Sequence, residues 1–117
     1  MTIDRSTCHS QVIEAPLEPD RPLIDAHHHL WNMPGNRYLA ADFLQDAAGH
    51  NVRQTVFVEC MAGYREGGNK ALRPIGETEF VVATTPAGAK GAALASGIIG
   101  FADLSLGAAV LPVLQAH

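Results

Sequence analysis

The stretch 22–31 reads Pro-Leu-Ile-Asp-Ala-His-His-His-Leu-Trp, and it decides which fold and chemistry this chain is expected to have. The apolar step Leu23-Ile24 predicts a short strand that ends in an Asp-x-His-x-His pattern. Because residues two apart in a strand project from the same face, His27 and His29 are expected to project together. Asp25 is expected on that face one step deeper. His28 should point to the opposite face, where it packs or forms a hydrogen bond.

Two imidazoles on one rigid element can bind one divalent metal ion, because zinc and related cations accept neutral histidine nitrogen. A carboxylate such as Asp25 can accept a proton from the far nitrogen of a ligand ring and fix its tautomer. The pattern therefore predicts a divalent metal, zinc above all, bound by His27 and His29 with Asp25 in support. The alternative is a pair of hydrogen-bonded polar residues at the end of a strand.

Composition places limits on the class of protein. The chain has 117 residues, 47% of them hydrophobic, and a formal net charge of -4, which fits one small globular domain. Lys and Arg do not cluster in the sequence, so neither nucleic acid nor an anionic membrane is expected as a partner. No apolar run resembles a signal peptide or approaches the ~20 residues of a membrane span, so a cytoplasmic protein is expected. Cys60 lies in an apolar run and is expected to be a buried thiol.

Apolar runs alternate with helical spacing over residues 22–117, after a polar segment 1–21 that is expected to be a flexible tail. After the first strand, the patterns predict a loop over 32–36, a helix over 39–48 and a strand over 52–60. A Gly-rich loop is predicted next, over 61–73, followed by a helix over 77–83 and a second helix over 87–97. The last predicted elements are a strand over 97–104 and a helical face over 106–114. This order predicts right-handed crossovers and a parallel sheet. The chain ends inside a helical pattern, which favours a fragment with an open strand edge.

Four segments, in this order, resemble the amidohydrolase superfamily, specifically the amidohydrolase-related branch that contains lactone hydrolases and decarboxylases. They are the segments 23–31, 56–60, 76–80 and 97–104. The resemblance implies an α/β fold that is the N-terminal part, about three βα units, of an incomplete (β/α)8 TIM barrel over residues 22–117. It also implies that His27 and His29 bind the metal at the mouth of the barrel. The further His ligands and the acid/base Asp of the family come from later strands.

The expected function is that of a metal-dependent hydrolase, in which activated water attacks a lactone, an amide or a similar small-molecule carbonyl substrate. This chain is expected to be inactive alone, because the later ligands are missing. Glu59, at the end of the second strand, is the candidate catalytic carboxylate, or else an ion-pair partner of a nearby arginine. Tyr64 and Arg65 are candidates for contacting substrate oxygens, and Asp103 is a weaker catalytic candidate.

Two other readings of the sequence stay open. The chain could be the non-catalytic product of a truncated gene, or it could belong to a phosphoesterase barrel with a similar His-x-His pair. Leu30-Trp31 and the Gly-Glu-Thr-Glu segment at 76–79 fit the amidohydrolase branch better.

Overall fold

The computed structural model describes residues 13–85 and 92–117. Its strands and α-helices are β1 (Leu23–His28), β2 (Trp31–Met33), β3 (Asn36–Tyr38), α1 (Ala40–Asp46), β4 (Val52–Val58), α2 (Ile75–Thr84), β5 (Ala93–Ile99) and α3 (Leu111–Ala116). Short 3-10 segments occupy Ala47–Gly49, Lys70–Leu72 and Leu104–Val110. None of the helices in the described ranges is long and apolar enough to cross a membrane.

A parallel three-stranded sheet forms the centre of the structure, with β4 between β1 and β5. The apolar run of β4 explains its central place, since such runs suit strands with neighbours on both edges. Thr55 and Phe57, two apart on β4, are both fully buried. The Thr55 hydroxyl lies 2.8 Å from His28 Nε2 and accepts the Ala95 backbone N–H at 2.8 Å. One side chain of the central strand thus joins both of its neighbours.

The helices α1 and α2 cover the sheet face that Thr55 and Phe57 present. Phe57 packs in one cluster with Leu30 and with Val81 of α2. Phe43 of α1 lies against His28, with ring centroids 4.9 Å apart. A second cluster joins the N-terminus of α2 to the region of α3 through Ile75, Val110 and Val113. The helices predicted over 39–48 and 77–83 are confirmed by α1 and α2.

The predicted incomplete TIM barrel is wrong for this structure. The described residues form an open three-stranded parallel sheet with β1 and β5 at its edges, and a separate two-stranded antiparallel sheet of β2 and β3. A barrel closes only when every tilted strand forms hydrogen bonds with a neighbouring strand on both sides, and three strands cannot complete that circle. The described parts of residues 22–117 form a small α/β unit.

The loop predicted over 32–36 is also wrong, because β2 and β3 form a hairpin there. Its two-residue connection contains Gly35 at φ +73°, a backbone conformation that glycine adopts without strain. The Trp31 and Tyr38 rings stack with centroids 5.1 Å apart, and Trp31 Nε1 donates to Asn36 Oδ1 at 2.8 Å. These side-chain contacts stabilise a hairpin too short to be seen as alternation in the sequence.

The third parallel strand begins earlier than predicted. β5 starts at Ala93 and ends at Ile99, whereas the prediction placed a helix over 87–97 and the strand over 97–104. The first part of that helix lies outside the described residues. From Ala93 onward, parallel pairing with β4 overrides the weak helical preference of a Gly- and Ala-rich segment. The strand has an irregularity at Ala95, whose φ is +50°.

Most of the predicted tail also lies outside the described residues. Residues 13–21 contain no helix or strand, and Asn51 Nδ2 donates to the Asp20 carbonyl oxygen at 2.8 Å. Ordered pairing begins at β1, whose Leu23 N–H donates to the Asn51 carbonyl oxygen at 2.9 Å.

Candidate metal centre

The end of β1 contains a bulge, and this bulge sets the directions of its histidines. Asp25 pairs with Thr55 and His28 pairs with Phe57, so three steps on β1 match two on β4. One extra residue on a strand breaks the alternation of its side chains. The strict alternation that the sequence suggested for Asp25, His27 and His29 therefore does not hold across the bulge.

Asp25 lies on the α1 side of the bulge. It borders a groove of about 450 Å³ together with Tyr38 and Phe43. Its Oδ1 accepts the backbone N–H of His27 at 3.0 Å, so its carboxylate supports the turn of the chain and not an imidazole.

His27 and His29 are brought together, as the sequence predicts. Their Nε2 atoms lie 3.2 Å apart, and their rings meet edge to face with centroids 4.9 Å apart. The His29 Nδ1 atom lies 2.7 Å from the Val58 carbonyl oxygen of β4. Since a carbonyl oxygen only accepts, His29 Nδ1 carries a proton, and in the neutral ring its Nε2 presents a lone pair. His27 Nε2–H then donates to His29 Nε2.

This spacing fits two nitrogen ligands of one metal ion. With zinc–nitrogen bonds of about 2.0–2.1 Å and a tetrahedral angle, two ligand nitrogens lie about 3.3 Å apart. The observed separation is 3.2 Å. The Val58 carbonyl fills the orienting role that sequence analysis assigned to Asp25, because ligand histidines commonly donate their other N–H to such an acceptor. His27 is exposed and His29 is half-buried, so the pair is accessible from solvent.

The pair is not part of a larger ligand set within the described residues. Over 13–85 and 92–117, no three His, Cys, Asp or Glu side chains are grouped so that they could hold a metal ion. These residues therefore offer at most a pair of candidate ligands to a metal ion.

His28 has a structural place, which agrees with its predicted direction. It is buried, with Phe43 at 4.9 Å and Phe57 at 5.9 Å between ring centroids. Burial lowers the pKa of His28, while the negative charge of Asp25 acts in the opposite direction. The His28 ring thus packs the bulge against α1 through Phe43.

Glu59 is the first residue after β4, and its position is held by the backbone. Its N–H donates to the Ile99 carbonyl oxygen at 2.9 Å, which continues the pairing with β5. The side chain is half-buried and forms no ion pair with Arg53 or Arg73, two described residues that the sequence offered as partners. It does not join His27 and His29 in a three-ligand group.

Arg65 is engaged with another residue of the chain. Its Nε donates to Glu79 Oε2 at 3.0 Å, and its Nη2 contacts Glu79 Oε1. This bidentate ion pair joins the loop after β4 to α2 and occupies the donors that a substrate carboxylate would need.

Tyr64 and Asp103 border a groove of about 640 Å³ on the side of α2 and the last 3-10 segment. Burial raises the pKa of Tyr64, and the charges of Glu77 and Glu59 add to the effect. Asp103 begins the 3-10 segment: its Oδ1 accepts the Ser105 backbone N–H at 3.0 Å and the Ser105 hydroxyl at 2.5 Å. These two hydrogen bonds lower the pKa of Asp103, and its role is that of a cap.

Glu77 is the residue whose importance sequence reasoning missed. Glutamate side chains are rarely fully buried, yet Glu77, in the first turn of α2, is 2% exposed. Its Oε1 accepts the N–H groups of Cys60 at 2.9 Å and Ala62 at 2.8 Å. Met61, between them, has a φ of +66°, which turns both N–H groups toward one carboxylate oxygen. Glu77 thus holds the loop that follows β4.

The glycine before Glu77 is the one sequence signal that points to this burial. A Cβ atom at Gly76 would lie 2.5 Å from the Gly63 carbonyl oxygen and 2.6 Å from the Arg65 backbone nitrogen. Only a glycine permits α2 to approach the loop so closely. Cys60 is a free thiol in the same region, and burial together with the Glu77 charge raises its pKa to about 11.

Comparison of the chain with models of protein families, with curated proteins and with solved structures finds no match.

Proposed function

We propose that the chain binds a divalent metal ion of the zinc class through His27 Nε2 and His29 Nε2, and that this pair belongs to a hydrolase site. The observation that carries the proposal is the 3.2 Å separation of the two Nε2 atoms, with the His29 tautomer set by Val58. The resemblance of segment 23–31 to the first strand of amidohydrolase-related enzymes supports the same reading. The proposed substrates are lactones, amides or similar small carbonyl compounds.

When bound, such a metal would polarise the carbonyl group of the substrate and lower the pKa of a bound water molecule. His29 needs no change for this role, because its Nδ1–H already points to the Val58 carbonyl oxygen. His27 has to place its proton on Nδ1, which frees its Nε2 as the second donor. Glu59, at the same end of the sheet as the pair, is the proposed carboxylate for proton transfer. The cytoplasm is the proposed location, since a free, half-buried thiol such as Cys60 suits a reducing compartment.

Zinc titration in competition with a chromophoric chelator tests the binding half of the proposal. We expect His27→Ala and His29→Ala to weaken zinc binding at least about tenfold, since even residues that only support a ligand cost 10–100-fold. His50→Ala is the matched control, because His50 is also exposed but lies outside the pair. Equal zinc affinity in all four proteins would refute the pair as the metal ligands.

A panel of lactones, amides and phosphoesters, assayed with added zinc, tests the hydrolase half. Turnover of a lactone or amide that is lost in His27→Ala supports the proposal. Turnover restricted to phosphoesters would favour the phosphoesterase class instead. Zinc binding without turnover of any member of the panel would refute hydrolysis by this chain and leave a metal-binding site alone, which is the inactive chain that the sequence predicts.

A further inference from the structure

Two ligands on an exposed strand end leave a zinc ion short of its usual four. Structural zinc sites in proteins are almost always four-coordinate, and the described residues supply only the pair. We infer that two copies of this chain share one zinc ion, each contributing His27 and His29. The inference rests on the metal-binding pair of the proposed function and adds the partner that completes it.

The position of β1 makes the pair accessible to a second copy. β1 lies at the edge of the three-stranded sheet, and in the described parts of the chain no strand pairs with its other side. The side chains at the start of this edge include Ile24, which is 64% exposed, and Leu23, which is 38% exposed. His27 is exposed at the far end of the same strand. Exposed apolar side chains and the two candidate ligands thus lie on one edge strand, at its two ends.

A two-fold axis suits this arrangement, because it presents the same surface of both copies to each other. An ion on that axis receives two nitrogens from each side, and the 3.2 Å spacing within each pair matches one edge of a tetrahedron. Each chain carries a formal net charge of -4, so the two copies repel each other when no cation is present. A divalent cation between two neutral imidazole pairs removes part of that repulsion. Association is therefore expected to depend on the metal.

A shared ion also has a chemical consequence. Four nitrogen ligands fill the tetrahedron, whereas catalytic zinc sites keep one position open for water or substrate. The zinc-linked dimer is therefore the form that does not hydrolyse. Hydrolysis is expected only from a single chain, whose one His pair leaves the other coordination positions of the zinc ion open to water and substrate.

Sedimentation equilibrium of the full 117-residue chain, with zinc chloride added stepwise, tests the inference. We expect a monomer in the presence of a chelator, a dimer as zinc is added, and a plateau at about one zinc for two chains. Removal of zinc by the chelator should restore the monomer. His27→Ala should raise the zinc concentration needed for half-dimerisation by at least about 100-fold, and His50→Ala should leave it unchanged.

The outcomes separate this inference from the proposed function. A monomer that binds one zinc per chain through His27 and His29 overturns the shared site and keeps the pair. Absence of zinc binding overturns both. A dimer that forms equally well with chelator, or in His27→Ala, also overturns the shared site. The dimerisation of His29→Ala is interpreted only if its circular dichroism matches that of the parent, because His29 also forms a hydrogen bond with β4.

Discussion

Replacing Thr55 by valine removes one hydroxyl group from the middle of the sheet and keeps the shape of the side chain. Thr55 is fully buried, and its hydroxyl serves His28 Nε2 at 2.8 Å and the Ala95 N–H at 2.8 Å. Both partners would remain buried or partly buried without a substitute. Leaving such a group unpaired costs about 1–3 kcal/mol, so with two groups affected we expect Thr55→Val to lower the free energy of unfolding by about 2–6 kcal/mol.

Thr55→Ser is the matched control, because it keeps the hydroxyl and removes a methyl group. That change should cost about 1–1.5 kcal/mol through lost burial and a small cavity. Urea unfolding followed by circular dichroism measures both variants: the midpoint should fall further for Thr55→Val, with an unchanged slope. If Thr55→Val is as stable as the parent, or more stable than Thr55→Ser, then the hydroxyl does not join the three strands and this reasoning is refuted.

Three further predictions concern the loop after β4 and the irregularity in β5. Because the pKa of Cys60 is raised from 9.0 to about 11, its thiolate at pH 8 is about 100-fold scarcer than that of an ordinary cysteine. Mass spectrometry of the Cys60 peptide should therefore show alkylation slower by about that factor, and the rate should rise with pH up to about 11; an ordinary rate would contradict the burial. Glu77→Leu leaves two buried N–H groups without an acceptor and should cost about 2–4 kcal/mol in urea unfolding, whereas Glu79→Leu, at an exposed ion pair, should cost less than about 1 kcal/mol. Ala95→Gly relieves the φ of +50° and should raise the thermal midpoint by an amount worth about 0.5–1 kcal/mol; a lower midpoint would show that the Ala95 conformation is not strained.

The elements predicted correctly are those whose signal is contained in their own residues. The unbroken apolar run of β4 and the helical spacing of α1 and α2 each identify their element locally. The proximity of His27 and His29 is also visible locally, since they are two residues apart in one short segment, although their orientation depends on β4.

The features that were missed depend on residues far apart in the chain. The start of β5 at Ala93 follows from its pairing with Gln54, and a Gly- and Ala-rich sequence carries little sign of that pairing. The bulge that separates Asp25 from the histidine pair exists only relative to β4. Glu77 looks like any acidic residue at a helix start until the N–H groups of Cys60 and Ala62 are seen around it.

The hydrogen bond from His29 to Val58 makes the candidate centre a property of two strands and not of one. Any fluctuation that separates β1 from β4 frees the His29 ring to rotate and to exchange its tautomer. By thermodynamic linkage, a ligand that selects the oriented ring must in turn hold the two strands together. Zinc should therefore slow amide hydrogen exchange along Val52–Val58, a segment that contributes no side chain to the metal.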